Sequence, residues 1–283
     1  MISYAVYRRS FHLIYSTILM AKDPNLSVAL ITGAASGIGQ ELAHLFAKDQ
    51  YQLVLVDQNP GGLQGFAEHL QSKHNITPTL ITQDLSAPGA AQRIYDEVQG
   101  KGLQVDVLVN DAGFGLAGPF LDSDLNRNLN CINTNVTALV ELTYLFGRDM
   151  KQRGKGRILQ LASLASFQPG ALLAVYSATK AFVLSFSEAL TVELKDSGVT
   201  VTALCPGATE TEFFYTAHAE HTEEGQGEKA DPKDVAKDGY EALMNGETRV
   251  ISGVSNKLLA AMTKVIPDTW LALSNQKKFE PTE

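Results

Sequence analysis

From Val28 onward, short apolar runs alternate with longer stretches in which apolar residues recur every three or four positions. Val28 to Thr32, Leu53 to Val56, Thr79 to Thr82, Val105 to Val109, Arg157 to Ala162, Val199 to Leu204 and Arg249 to Ile251 read as β-strands. Helical spacing predicts helices from Gln40 to Lys48, Leu63 to His74, Ala90 to Val98, Leu125 to Met150, Val175 to Lys195 and Val235 to Met244. Continuously apolar strands separated by helices imply a parallel sheet covered on both faces. The expected fold class is therefore α/β, a single Rossmann-type, doubly wound parallel sheet of about seven strands.

Three stretches depart from this rhythm. Residues 1–26 hold Arg8 and Arg9 before an apolar run from Phe11 to Ala21. That run is too short to span a bilayer and lacks a cleavage pattern. It is expected to be a dispensable extension, with a membrane-surface helix as the alternative. Thr209 to Asp231 is polar, acidic and poorly periodic, as expected of a functional loop beyond a strand's carboxyl end. The tail, 254–283, carries Leu258, Leu259, Met262, Val265, Ile266 and Trp270. It suits a cover over a cleft, a subunit interface or a membrane contact, and the sequence does not choose among them. The dinucleotide-type domain is expected to occupy 27–253.

Composition narrows the function classes. A net charge of −8 argues against a nucleic-acid partner, which needs a basic face. The two cysteines, Cys131 and Cys205, form neither a disulfide framework nor a metal-ligand spacing, which fits a reducing cytoplasmic setting. No metal is expected: His218 and His221, with Glu220 and Glu223 nearby, read as solvated loop residues, and His44, His69 and His74 as helix-surface residues.

The candidate chemistry lies at strand ends. Thr32-Gly33-Ala34-Ala35-Ser36-Gly37-Ile38-Gly39 follows the first strand and opens the first helix, where glycine lets backbone approach a pyrophosphate held by the helix N-terminus. Asp57 closes the second strand, where a carboxylate can accept ribose hydroxyls and would repel a 2′-phosphate. No Arg or Lys follows it directly, so NAD is expected in preference to NADP. Asp84-Leu85 and Asn110-Asp111-Ala112-Gly113 end the next two strands on the same rim. Tyr176 and Lys180 stand at i and i+4 on one helix face. A tyrosine's pKa of about 10 is too high for base chemistry near neutrality unless positive charge favours the phenolate. Ser163, just past the preceding strand, can return its hydroxyl to the tyrosine face. Phe213-Phe214-Tyr215 either walls a substrate pocket or staples the loop to the core.

These residues together resemble the short-chain dehydrogenase/reductase family in its short-form branch. Thr32 to Gly39, Asp84, Asn110 to Gly113, Asn135, Ser163, Tyr176, Lys180 and Pro206-Gly207 run in that family's order and spacing. Pro206 to Phe213, and the pattern from Asp234 through Gly253 to Leu258, further resemble its DltE-like group. The resemblance implies hydride transfer between NAD(P)(H) and a secondary alcohol or ketone. Tyr176 would move the proton, Ser163 would hold the substrate oxygen and Lys180 would lower the tyrosine pKa and bond the ribose. Asn135 would hold a relay water. Thr32, Gly33, Ser36, Gly37, Ile38, Gly39, Asp57, Asp84, Leu85, Asn110, Ala112, Gly113, Pro206, Gly207, Thr209 and Thr211 would contact the cofactor, with Tyr176 and Lys180. A homodimer or homotetramer paired through the helices of Leu125 and Tyr176 is implied as well. Asp111 and Ala162 depart from the usual Asn and Ser. A catalytically silent nucleotide-binding regulator would be expected to lack Tyr176 or Lys180. A sugar-nucleotide epimerase would show the other glycine spacing.

Overall fold

The computed structural model describes residues 26–282, so the expectations for residues 1–25 lie outside it. The chain runs β1 (Val28–Thr32), α1 (Gly37–Lys48), β2 (Gln52–Asp57), α2 (Pro60–His74), β3 (Thr79–Thr82), α3 (Ala90–Gly100) and β4 (Val105–Asn110). Then follow α4 (Leu125–Ile132), a π-helical turn (Asn133–Ala138), α5 (Leu139–Arg153), β5 (Gly156–Leu161), α6 (Ala174–Glu193) and β6 (Val199–Cys205). Two one-turn helices, α7 (Phe213–Thr216) and α8 (Glu223–Gln226), precede α9 (Pro232–Asn245) and β7 (Arg249–Ile251). The tail forms α10 (Val254–Met262) and α11 (Asp268–Phe279).

All strands pair parallel, in the order β3-β2-β1-β4-β5-β6-β7. The order reverses between β1 and β4, which leaves a crevice beyond their carboxyl ends. Side chains alternate across each strand, and both faces are apolar. Val28, Leu30, Val54 and Val56 meet Ile94 of α3 and Phe146 of α5 on one face. Ala29, Ile31, Leu53 and Leu55 meet Leu42 and Phe46 of α1 and Leu243 of α9 on the other. Each fully buried Leu or Phe contributes about 1.5–3 kcal/mol.

Helix starts are set by local chemistry. Asn59 caps α2 by accepting the Gly62 N–H, with Pro60 at the first helical position. Asp231 accepts the Lys233 N–H ahead of Pro232 at the start of α9. The helix expected from Leu125 to Met150 is interrupted by the π turn, a wider local hydrogen-bond register. On α6, Val183 and Leu184 are buried within the chain, and Leu190 and Leu194 pack against its core. The exposed apolar positions of these helices are Leu125, Leu129, Ile132, Tyr144, Phe182 and Val192. Among the described residues no helix is long and apolar enough to cross a membrane.

Candidate active site

The carboxyl ends of the strands border a cleft of about 690 Å³. Its floor begins at the turn joining β1 to α1. Gly33 and Gly37 have φ of +69° and +56°, which a side chain would strain. Gly39 is fixed by proximity: a Cβ there would lie 2.5 Å from the Gly33 carbonyl oxygen. Ser36, the N-cap of α1, makes no side-chain cap bond, so the first-turn amides of Gly37 and Ile38 receive no partner from it beside the cleft. Asp57 accepts the Ala35 N–H at 3.1 Å and the Asn59 N–H at 2.9 Å, tying the end of β2 to this turn while facing the cleft. The cradle is open backbone at a helix N-terminus with a carboxylate beside it, and it fits a dinucleotide's diphosphate and adenosine ribose.

Tyr176 sits in the first turn of α6, where the Ser163 hydroxyl is near enough to favour its phenolate. Ser163 caps the 3₁₀ turn Leu164–Phe167 by accepting the Ala165 N–H at 3.1 Å, which fixes its hydroxyl at the end of β5. The Lys180 ammonium donates to the Leu161 carbonyl at 2.7 Å and lies 5.7 Å from the Tyr176 ring centroid. Burial pushes the Tyr176 phenol up to about 12, with the Ser163 hydroxyl pulling the other way. Burial pushes Lys180 down to about 8, partly offset by Asp111.

Four expected residues do not line the cleft and instead brace its walls. Thr32 Oγ1 accepts the N–H groups of Asp111 and Ala112, both at 3.1 Å. Asn110 turns into the core, donating to Thr143 at 3.1 Å and to Gln160 at 2.9 Å, because its strand position points toward α5. Gly39 lies beneath the turn. Asn135, in the π turn, accepts the Phe114 N–H at 3.1 Å and donates to the Phe114 carbonyl at 2.9 Å and Thr179 Oγ1 at 3.0 Å. Its amide thus ties the segment after β4 to α6. The remaining expected residues, from Gly33 to Thr211, do border the cleft. Thr211 packs its methyl where a Cβ on Gly37 would lie, 3.0 Å away.

The far end of the cleft is closed by the loop after β6 and by the tail. Phe213 packs on Tyr176, with ring centroids 4.9 Å apart. Phe214 is buried with Leu173, Ala217, Ala219 and Phe279 of α11, while Tyr215 is exposed. The aromatic run therefore both walls the pocket and staples the loop. Lys278 pairs with Glu224 at 2.9 Å, and Asn275 donates to the Ala171 carbonyl at 2.8 Å. Leu259 and Phe279 border the cleft, so the tail covers it.

A Rossmann-type sheet with a glycine cradle at its switch point and a Ser–Tyr–Lys cluster across the cleft defines a nicotinamide-dependent oxidoreductase. The comparisons agree. The family described as short chain dehydrogenase matches residues 27–222. The ketoacyl reductase HetN of Nostoc sp. is 30% identical over 237 residues, covering 84% of this chain and 82% of its own. The 17-beta-hydroxysteroid dehydrogenase type 3 of Mus musculus is 33% identical over 183 residues, 63% of this chain and 58% of that one. A solved short-chain dehydrogenase from Sphingobium yanoikuyae in complex with NADPH matches with a TM-score of 0.76 at 27% identity, over 86% of this chain and 97% of that one. This chain belongs to the short-chain dehydrogenase/reductase family and acts, as an NAD(P)-dependent enzyme, on alcohols or ketones.

Proposed function

We propose that the protein moves hydride reversibly between NAD(H) and a secondary alcohol or ketone with an apolar body, using Tyr176 as acid and base. The observation that carries this reading is the Tyr176 phenol, bordering one cleft with Ser163 and with Lys180 5.7 Å from its ring centroid, at the wall between the cradle and the apolar pocket. The nicotinamide, when bound, accepts or donates the hydride. Ser163 orients the substrate oxygen against the Tyr176 hydroxyl, which gives a proton in reduction and takes one in oxidation. Lys180 bonds the ribose and supplies positive charge behind the phenol. Asn135, in the π turn, would hold the water that continues a relay to Lys180. Gly33, Ser36, Gly37 and Ile38 receive the diphosphate, and Asp84, Leu85, Ala112 and Gly113 border the adenosine and ribose side. Pro206, Gly207, Thr209 and Thr211 border the carboxamide.

Asp57 supports NAD over NADP, because a carboxylate at the β2 end repels a 2′-phosphate and neighbouring Gln58 brings no positive charge. Phe213, Phe279 and Leu259 support an apolar substrate. The exposed apolar positions of α4, α5 and α6 support a homodimer or homotetramer, and two buried free cysteines support a cytoplasmic setting.

The test is NADH consumption across ketones, with nucleotide affinity measured in parallel. Tyr176→Phe keeps the ring against Phe213 and removes the ionisable hydroxyl. Turnover is expected to fall by at least ~100-fold with NADH affinity nearly unchanged. Full turnover in this variant places the proton donor elsewhere. NADPH binding as tight as NADH in the unaltered protein removes the role given to Asp57.

A further inference from the structure

The proposed chemistry gives Asp111 no task. It follows β4 beneath the glycine-rich turn and is only 8% exposed. The Gly39 N–H in the first turn of α1 lies beside its carboxyl and favours the charged form. The fit is tight: a Cβ on Gly39 would lie 2.6 Å from Oδ2, and one on Gly33 would lie 3.1 Å from it. Its Oδ1 is buried with no hydrogen-bond partner among the described residues. Two charged groups face the carboxyl, Lys180 from α6 and Asp57 from the end of β2. The first turn of α1 brings no acidic residue of its own. The residue also borders the cleft next to the cradle.

An ionised carboxyl in this position is costly twice over. One oxygen has lost water and gained nothing in return. The other lies against the same helix N-terminus that must hold an anionic diphosphate. A proton on Asp111 removes both costs. Burial already holds its pKa at about 7, against the opposing pull of Lys180 and the Gly39 N–H, so the proton is available near neutrality.

We propose that Asp111 makes nucleotide binding proton-coupled: its carboxylate takes one proton from solvent as the diphosphate docks on the first turn of α1. This rests on the dinucleotide reading of the cleft. The sign follows from linkage. A second negative charge near Asp111 raises its pKa further, so the bound form holds more protons than the free form, and affinity falls as pH rises above about 7. The slope is bounded at one decade of Kd per pH unit for one proton. Lys180, itself pushed down to about 8, would give a slope of the same sign, so the slope by itself does not identify the group.

The experiment combines NADH titrations from about pH 6 to about pH 8.5 with the infrared difference spectrum of the nucleotide-bound and free protein at about pH 7.5. The expected result is a Kd that rises at least ~10-fold across that range, with a protonated-carboxyl C=O band that grows on NADH binding. The band is expected to be missing in Asp111→Asn, which keeps an oxygen beside the Gly39 N–H. NADH binding without the band overturns the proposal and leaves any slope to Lys180. A band that survives in Asp111→Asn also overturns it. Failure of both NADH and NADPH to bind at any pH brings down the dinucleotide reading itself, and this inference with it.

Discussion

On the β1 to β4 side, the cleft is walled by backbone. The turn after Thr32 contributes glycines and amides, and the side chains of Thr32 and Asp111 brace that backbone from behind. On the far side, the wall is made of side chains from separate segments. Phe213 and Phe214 come from the loop after β6, Leu173 from the lead into α6 and Phe279 from the end of the tail. A backbone wall tolerates little, because a Cβ placed against a carbonyl has nowhere to go. A side-chain wall can be rebuilt, because neighbours adopt new rotamers. The first arrangement suits a ligand of fixed shape and the second a substrate that differs between relatives.

The sharpest way to break this contrast is Gly39→Val. The Cβ would meet the Gly33 carbonyl oxygen at 2.5 Å, with Asp111 Oδ2 at 2.6 Å on the same side, so the turn itself must shift. NADH affinity is expected to fall by ~100-fold or more, because the turn that holds the diphosphate must move. Fluorescence titration reads it, and affinity unchanged within a factor of two would mean the cradle is not where the diphosphate sits.

Phe279→Ala tests the opposite wall. The ring is buried against Phe214 and Leu173, so its loss is expected to destabilise the tail by about 3 kcal/mol. With a bulky apolar ketone, KM is expected to rise about tenfold while NADH affinity stays within a factor of two. Equal losses in both would show that the two walls form one unit.

Much of the backbone wall was legible in the chain. Glycines between a strand and a helix, and acids at strand ends, are local signals, and the parallel, doubly wound sheet followed from the alternation of strands and helices. Other features were not legible because they depend on distant partners. Asn110 and Thr32 sit inside a motif yet point away from the cleft, which depends on which face of the sheet each strand end presents. The π turn around Asn135 is one wider register of backbone bonds and leaves no mark in composition. The tail's closure over the pocket depends on Phe279 meeting Phe214 and Lys278 meeting Glu224, both far off in sequence. Helix α1 begins at Gly37 rather than Gln40 because its first turn is glycine-rich and carries little apolar periodicity.

The smallest expected effect lies behind the backbone wall, where α1 packs on α2. His44 meets the Phe66 ring edge-on at 5.1 Å, and its Nδ1 lies 3.3 Å from Nε2 of His74. His69 stands 5.2 Å away, centroid to centroid. Burial first, then Lys73, His69, His74 and Lys233, holds the His44 pKa down at about 4, against 6.5 for a free imidazole. The folded chain thus resists a proton that the unfolded chain accepts. His44 contributes stability above pH 6.5, and that contribution is lost as pH falls toward 4. Because the ring is partly open to solvent, the effect is expected to be only about 1 kcal/mol after screening. His44→Gln should therefore lose less stability than the unaltered protein between about pH 7 and about pH 5, a difference of a few degrees in Tm. The same substitution should leave NADH affinity at about pH 7 unchanged, since His44 faces α2 and not the cradle. A parallel loss of NADH affinity would mean that α1 carries strain from its outer face to its first turn, and that the backbone wall is less rigid than its glycine contacts imply.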